Sequence, residues 1–185
     1  MRRTGLVVLL VAAVAVSVAP GARAAGLAGL IAPTSICAGQ RRAGAAAAVQ
    51  LKAMRCLTDY ARGARGLAPL GDARALDRAA AHKSADILAC DEFSHEACGR
   101  TFTYWMQRFG YIPREGCWSA GENIAWGTGG YATPRAIFSG WVHSPGHLRN
   151  LLGPYRQLGI GLRIGTLEGH GGAHVWTQDF GSREC

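Results

Sequence analysis

The sequence predicts an α+β protein, a three-layer α-β-α sandwich with a small antiparallel sheet that is stabilised by disulfides. Two observations lead to this prediction. Segments with helical or strand-like apolar spacing occur in the order helix, helix, short helix, strand, helix, strand, strand. The last two strands are joined by a glycine-rich turn and therefore form an antiparallel pair. Helices must then cover both faces of so small a sheet.

The helices are predicted from apolar spacing and from capping residues. They cover residues 47–62, 73–88, 101–109 and 134–142. In the first helix, apolar side chains such as Val49 and Ala53 recur at helical spacing. Asp72 is expected to cap the second helix and Gly110 to end the third. Thr133, followed by a proline, is expected to cap the fourth.

The strands are predicted from short apolar segments bounded by turn residues. They cover residues 118–126, 158–164 and 173–180. In the second strand, glycine or arginine alternates with apolar residues, and the glycine-rich segment 165–172 separates it from the third. Pro145 is expected to stop the helix that precedes these last two strands.

The first 24 residues are typical of a secretory signal peptide. Arg2 and Arg3 are followed by an apolar segment over 6–19, and small residues precede the expected cleavage after Ala24. The apolar segment is shorter than the roughly 20 residues that a membrane-spanning helix needs. We therefore expect a secreted protein, either extracellular or periplasmic.

The full chain has 185 residues and a net charge of +8. Removal of the signal peptide leaves a lead-in over 25–46 and one domain over 47–185. The arginines are scattered and form no basic stripe, so no nucleic-acid partner is expected. No later segment is apolar enough to span a membrane. We expect a monomer, with a hydrophobic ligand or a component of the cell wall or envelope as its partner.

Six cysteines follow the signal peptide, and an even number in an exported chain indicates three disulfides. Two of them lie close in sequence on either side of a short loop, and two others can clamp the first helix. The expected pairs are Cys90–Cys98, Cys37–Cys56 and, by remainder, Cys117–Cys185. A zinc knuckle is excluded because no two cysteines have its short spacing.

Four motifs occur in a specific order, and they are Phe93–His95, Gly121–Gly127, Trp141–Leu152 and Trp176–Gly181. In this order they resemble the CAP superfamily, or SCP-domain proteins, which include cysteine-rich secretory proteins, venom antigens and plant pathogenesis-related proteins. The W-x-x-S-P-G-H segment resembles the bacterial exported branch. The resemblance covers nearly all of the mature chain, and it also implies an α-β-α sandwich.

The resemblance implies a central cleft lined by two histidines and two glutamates, which binds a divalent metal in some members. His95 and Glu122 match the first histidine and the G-E-N glutamate. Ser144 and Val175 stand where many eukaryotic members have the other two groups, so the tetrad is incomplete. His147 is the expected bacterial contributor. The predicted ligand-binding cleft is therefore His95, Glu122, Ser144 and His147.

Three hypotheses remain open for His95, Glu122 and His147. Two imidazoles and one carboxylate can hold Zn²⁺ or another divalent metal and leave one position open. The same groups can instead form a hydrogen-bonded structural cluster, or a glutamate–histidine pair for general acid–base catalysis. They are the only catalytic candidates, since a G-x-S-x-G nucleophile motif is missing.

The favoured function is a ligand-binding module for a lipid, a sterol or a cell-wall component. A metal-dependent hydrolase that uses the same cleft and an extracellular protein-interaction scaffold are the alternatives. Ser144 is also expected to cap the turn at Pro145 through its hydroxyl group, and His170 and His174 to face solvent beside the glycine-rich turn. The tryptophans are expected mainly in the core.

Overall fold

The computed structural model describes residues 26–184. The predicted signal peptide and Cys185 lie outside the described residues. Five α-helices and four strands form the described domain. The helices are α1 (Ala47–Gly63), α2 (Arg74–Ala89), α3 (Tyr104–Arg108), α4 (Pro134–Val142) and α5 (Pro145–Leu151). The strands are β1 (Gly71–Asp72), β2 (Ser119–Gly127), β3 (Gln157–Leu167) and β4 (His170–Ser182).

The four strands form one sheet in the order β1-β3-β4-β2. Strand β4 is central and pairs antiparallel with both β2 and β3. The predicted α+β sandwich with a small antiparallel sheet is confirmed, with one addition. Strand β1 pairs parallel with the start of β3, through Gly71 opposite Gln157 and Asp72 opposite Leu158. A strand of two residues is too short to leave a periodic signal in the sequence.

Helices cover both faces of the sheet. Apolar side chains of α1, α4 and α5 form the main core against one face, together with Leu158, Ile160 and Trp176. Helices α2 and α3 cover the other face, where Gly159 and Gly161 of β3 lie directly against the backbone of α2. Without side chains at these two positions, helix and sheet approach more closely than residues with a Cβ would allow.

One expectation about a helix end is wrong, and another needs an addition. Asp72 does not cap α2, because Ala73 holds the N-cap position and makes no side-chain bond there. The Asp72 carboxylate instead forms an ion pair with Arg55 at 2.8 Å. Pro145 follows the end of α4 but also begins α5, since its fixed φ angle suits the first position of a helix.

The lead-in before α1 packs against the domain. Leu30 and Ala32 are fully buried in the main core. The Arg135 guanidinium of α4 donates to the Ala32 carbonyl at 2.6 Å and to Gln40 Oε1 at 2.7 Å. These contacts join the lead-in to the helical layer that contains α1 and α4.

The disulfides Cys37–Cys56 and Cys90–Cys98 are present as predicted. The first ties the lead-in to α1, and the second closes the loop that follows α2. The third pair, Cys117–Cys185, involves a residue outside the described range, so it stays a prediction. Within residues 26–184, no helix has both the length and the apolar character that a membrane span requires.

Candidate functional site

The loop after α2 and the middle of β2 bring two of the predicted site residues together. Nδ1 of His95 lies 2.7 Å from Oε1 of Glu122, within hydrogen-bond distance. The His95 side chain is 51% exposed, whereas that of Glu122 is 1% exposed. The imidazole therefore connects a buried carboxyl group with the solvent.

A buried lysine holds the backbone of the His95 loop. Lys83 of α2 is fully buried, and its ammonium group donates to the carbonyls of His95 at 2.7 Å and Arg100 at 3.2 Å. Sequence reasoning missed this residue, because a lysine in a helix is ordinarily a solvent-exposed group. Lys83 therefore fixes the position of His95 without contacting its imidazole.

A second carboxyl group lies beside Glu122 inside the sheet. Asp179 of β4 is the cross-strand partner of Glu122 and is buried. Burial raises the pKa of Asp179 well above its usual range, and the charge of Glu122 raises it further. Burial also raises the pKa of Glu122, while the hydrogen bond from His95 and the charge of Lys83 oppose this rise.

Glu122 Oε2 and Asp179 Oδ1 have no hydrogen-bond partner within the described residues. Two neighbouring buried carboxyl groups disfavour carrying charge at the same time, which agrees with the raised pKa of Asp179. Sequence analysis did not identify Asp179, because its proximity to Glu122 depends on strand register.

We expect Asp179→Asn to make the protein's stability less dependent on pH. A carboxyl group whose pKa is raised in the folded state contributes stability below its unfolded pKa, and this contribution is lost as pH rises through the folded pKa. An asparagine amide can donate to Glu122 without titrating. The variant should gain about 1–2 kcal/mol relative to the native protein at about pH 8, and less at about pH 5.

Urea unfolding of both proteins at the two pH values measures this difference. A variant that is less stable than the native protein, by the same amount at both pH values, would contradict the raised pKa of Asp179.

His147 lies on α5, which is tied to β2 by hydrogen bonds. The Asn123 amide donates to the His147 carbonyl at 3.2 Å, and the Asn150 amide donates to the Glu122 carbonyl at 3.0 Å. Burial lowers the pKa of His147, and the charge of His95 lowers it further. Its imidazole is therefore neutral near pH 7, and its Nδ1 has no described hydrogen-bond partner.

His147 also lines an apolar cavity of about 380 Å³ between β2 and α4. Ile137, Trp126 and Trp141 contribute to its walls. Ser144 lines it too, and its hydroxyl group does not form the predicted bond at the start of α5. Of the four predicted cleft residues, Ser144 and His147 line this cavity. Glu122 and His95 do not; they form the polar cluster described above.

A larger cavity, of about 940 Å³, lies between α1 and α2. Several of its polar groups already have partners within the protein. Arg55 pairs with Asp72, and Asp77 accepts a hydrogen bond from the backbone N–H of Ile160 at 3.1 Å. The smaller cavity is the better candidate site, because it contains two predicted cleft residues.

The predicted metal centre is not assembled among the described residues. Within residues 26–184, no three side chains of histidine, cysteine, aspartate or glutamate are grouped so that they could hold a metal ion. The zinc site of His95, Glu122 and His147 stays a prediction.

The expectation that His170 and His174 face solvent is wrong for His174, and the expectation that the tryptophans lie in the core holds for some of them. His174 is buried rather than solvent-facing, and burial lowers its pKa, whereas His170 is exposed. Trp141 and Trp176 are fully buried in the main core, as predicted. Trp118 is partly exposed.

Comparisons with known proteins give a consistent result. The model of the cysteine-rich secretory protein family, CAP, matches residues 57–180. An uncharacterised Bacillus subtilis protein, YkwD, is 33% identical over 128 residues, which are 67% of this chain and 44% of the relative.

Two solved structures share the fold. An extracellular SCP-domain protein of Bacillus anthracis has a TM-score of 0.57 and 26% identity, over 71% of this chain and 39% of its own. A cysteine-rich secretory protein of Staphylococcus aureus has a TM-score of 0.52 and 18% identity, over 71% and 38%. The chain spans less than half the length of these three relatives.

Proposed function

Because the chain belongs to the cysteine-rich secretory protein family, CAP, we propose that it is an extracellular module that binds a hydrophobic ligand in the cavity beside His147. The ligand is a lipid or sterol, or an apolar part of an envelope component. The observation that carries this proposal is the composition of the cavity, which joins aromatic and aliphatic walls to two polar groups, Ser144 and His147. Small-molecule sites commonly have this composition.

Exposed aromatic side chains in the same cavity support the proposal. Tyr131 is 81% exposed and Phe93 is 38% exposed, although both residues line the cavity. Aromatic groups at such exposure favour contact with an apolar partner, because covering them removes apolar surface from water. Ser144 and His147 can then hydrogen-bond to a polar head group of the ligand.

Filling the cavity from Gly140 tests this proposal. Gly140 lies on α4 and lines the cavity, and a Cβ atom added there would meet nothing within 4 Å. We expect Gly140→Leu to weaken binding of cis-parinaric acid and dehydroergosterol at least about tenfold, measured by fluorescence titration. The unfolding temperature should stay the same or rise, because glycine disfavours helices by about 1 kcal/mol.

Gly63→Leu is the matched control. Gly63 also lies in a helix and has open space around an added Cβ, but it does not line the cavity. This variant should bind both probes as the native chain does. If the native chain binds neither probe, or if Gly140→Leu binds as tightly as the native chain, the cavity is not the ligand site. Mass spectrometry of lipids that co-purify with the native chain identifies the ligand class.

The hydrolase and the scaffold remain alternative predictions. Among the described residues, the contact of His95 with Glu122 supports both a structural and an acid–base role. No contact among the described residues favours catalysis over the structural role.

A further inference from the structure

A second cleft lies between α3 and the segment that leads into β2. Its volume is about 550 Å³, and it shares no lining residue with the apolar cavity. Two aromatic side chains, two guanidinium groups and one amide line it. We call this the arginine cleft. The residues that contribute these groups are Tyr104, Trp118, Arg108, Arg114 and Gln107.

The aromatic side chains of the arginine cleft are unusually exposed. Tyr104 is 39% exposed and Trp118 is 43% exposed. Other residues of α3 pack into the core, among them the fully buried Met106. The Tyr104 ring packs edge-on against Trp105 at 5.0 Å, which restricts its movement. The Arg100 guanidinium lies over the Tyr104 ring, 5.4 Å from its centre, so Trp118 offers the more open ring to a ligand.

The charge of the arginine cleft is entirely positive. Arg108 and Arg114 line it, and no carboxylate does. Three other arginines of the described domain have carboxylate partners, among them Arg100 with Asp86 at 2.6 Å. Neither Arg108 nor Arg114 has such a partner among residues 26–184. Glu115 follows Arg114 in the chain, but it does not line the cleft.

We propose that the arginine cleft binds an anionic oligosaccharide. Aromatic rings stack on the apolar faces of sugar rings, and a guanidinium group can hold a carboxylate through two parallel hydrogen bonds. The Gln107 amide can donate to and accept from sugar hydroxyl groups. A bilayer surface is less suitable, because the two aromatic groups are accompanied by polar groups within a concave cleft. This inference does not depend on the proposed function.

The ligand is tested with two pairs of sugars, each made of a carboxylated sugar and a neutral counterpart. The first pair is the disaccharide of N-acetylglucosamine and N-acetylmuramic acid, and its neutral counterpart, di-N-acetylchitobiose. The second is digalacturonic acid and its methyl ester. NMR shifts of the tryptophan indole N–H groups report binding, and the Trp118→Phe variant assigns the signal of Trp118.

We expect both carboxylated sugars to shift the Trp118 signal and to bind more tightly than their neutral counterparts. Trp118→Ala should weaken binding about three- to tenfold, and Trp118→Phe should keep most of it. Replacing Arg108 and Arg114 together with glutamine should remove the preference for the charged sugars. Arg42→Gln changes an exposed arginine outside the cleft, and it should leave binding unchanged. Higher salt should weaken binding of the charged sugars.

Three results would overturn this proposal. The first is equal binding, or no binding, of the charged and neutral sugars to the native chain. The second is binding that Trp118→Ala does not change. The third is binding to phosphatidylglycerol vesicles without binding to either carboxylated sugar, which would make the cleft a site for lipid head groups.

Discussion

Gly161→Ala is expected to destabilise the domain strongly. Gly161 lies in β3, and an added Cβ would lie far inside van der Waals contact with the backbone of Ala80 in α2. Backbone atoms cannot rotate away as a side chain can, so α2 would have to separate from the sheet. We expect the free energy of unfolding to fall by about 3 kcal/mol or more, which exceeds the smaller gain from replacing a flexible glycine. Urea unfolding measures this change.

Gly165→Ala is the matched control in the same strand. A Cβ added there would meet the end of the Leu88 side chain at 3.0 Å, and that side chain can move. Its cost should stay below about 1 kcal/mol. Equal stabilities of the two variants would show that close backbone packing of α2 on β3 does not limit the residue at position 161.

Lys83→Met is expected to cause the second large loss of stability. The substitution removes the ammonium group that donates to the carbonyls of His95 and Arg100. It also removes the positive charge near Glu122 and Asp179. Breaking a buried charge cluster by removing one member typically costs about 3–5 kcal/mol. The His95 loop should also lose protection from hydrogen exchange, because its backbone is no longer held to α2.

The loss caused by Lys83→Met should depend on pH. Burial raises the folded-state pKa values of Glu122 and Asp179, and the charge of Lys83 opposes that rise. Without the lysine both pKa values rise further. The stability that the protonated pair contributes is then lost more steeply as pH rises, so the deficit should be larger at about pH 8 than at about pH 5.

Lys52→Met controls for the loss of a lysine. Lys52 is exposed on α1, so its replacement should change stability by less than about 0.5 kcal/mol. Urea unfolding of both variants at the two pH values makes the comparison. A deficit of Lys83→Met that is the same at both values would show that the lysine supports the loop alone and does not stabilise the carboxyl pair.

Part of the candidate site was predictable and part was not. The resemblance to the CAP superfamily led to His95 and Glu122, which are in contact, and to Ser144 and His147, which line the cavity. Asp179 was not predicted, although it lies within one of the four motifs. Its role depends on the register that places it opposite Glu122, and register is set by the packing of whole strands.

Local signals in the chain specified the helices α1, α2 and α4, the three long strands and the two short-range disulfides. Spacing, turn residues and cysteine separation act over a few neighbouring residues, so they can be read along the chain. The burial of Lys83 and His174 and the parallel pairing of β1 became evident once the elements were packed together. Each of these depends on contacts between residues far apart in the chain, and no local pattern records such contacts.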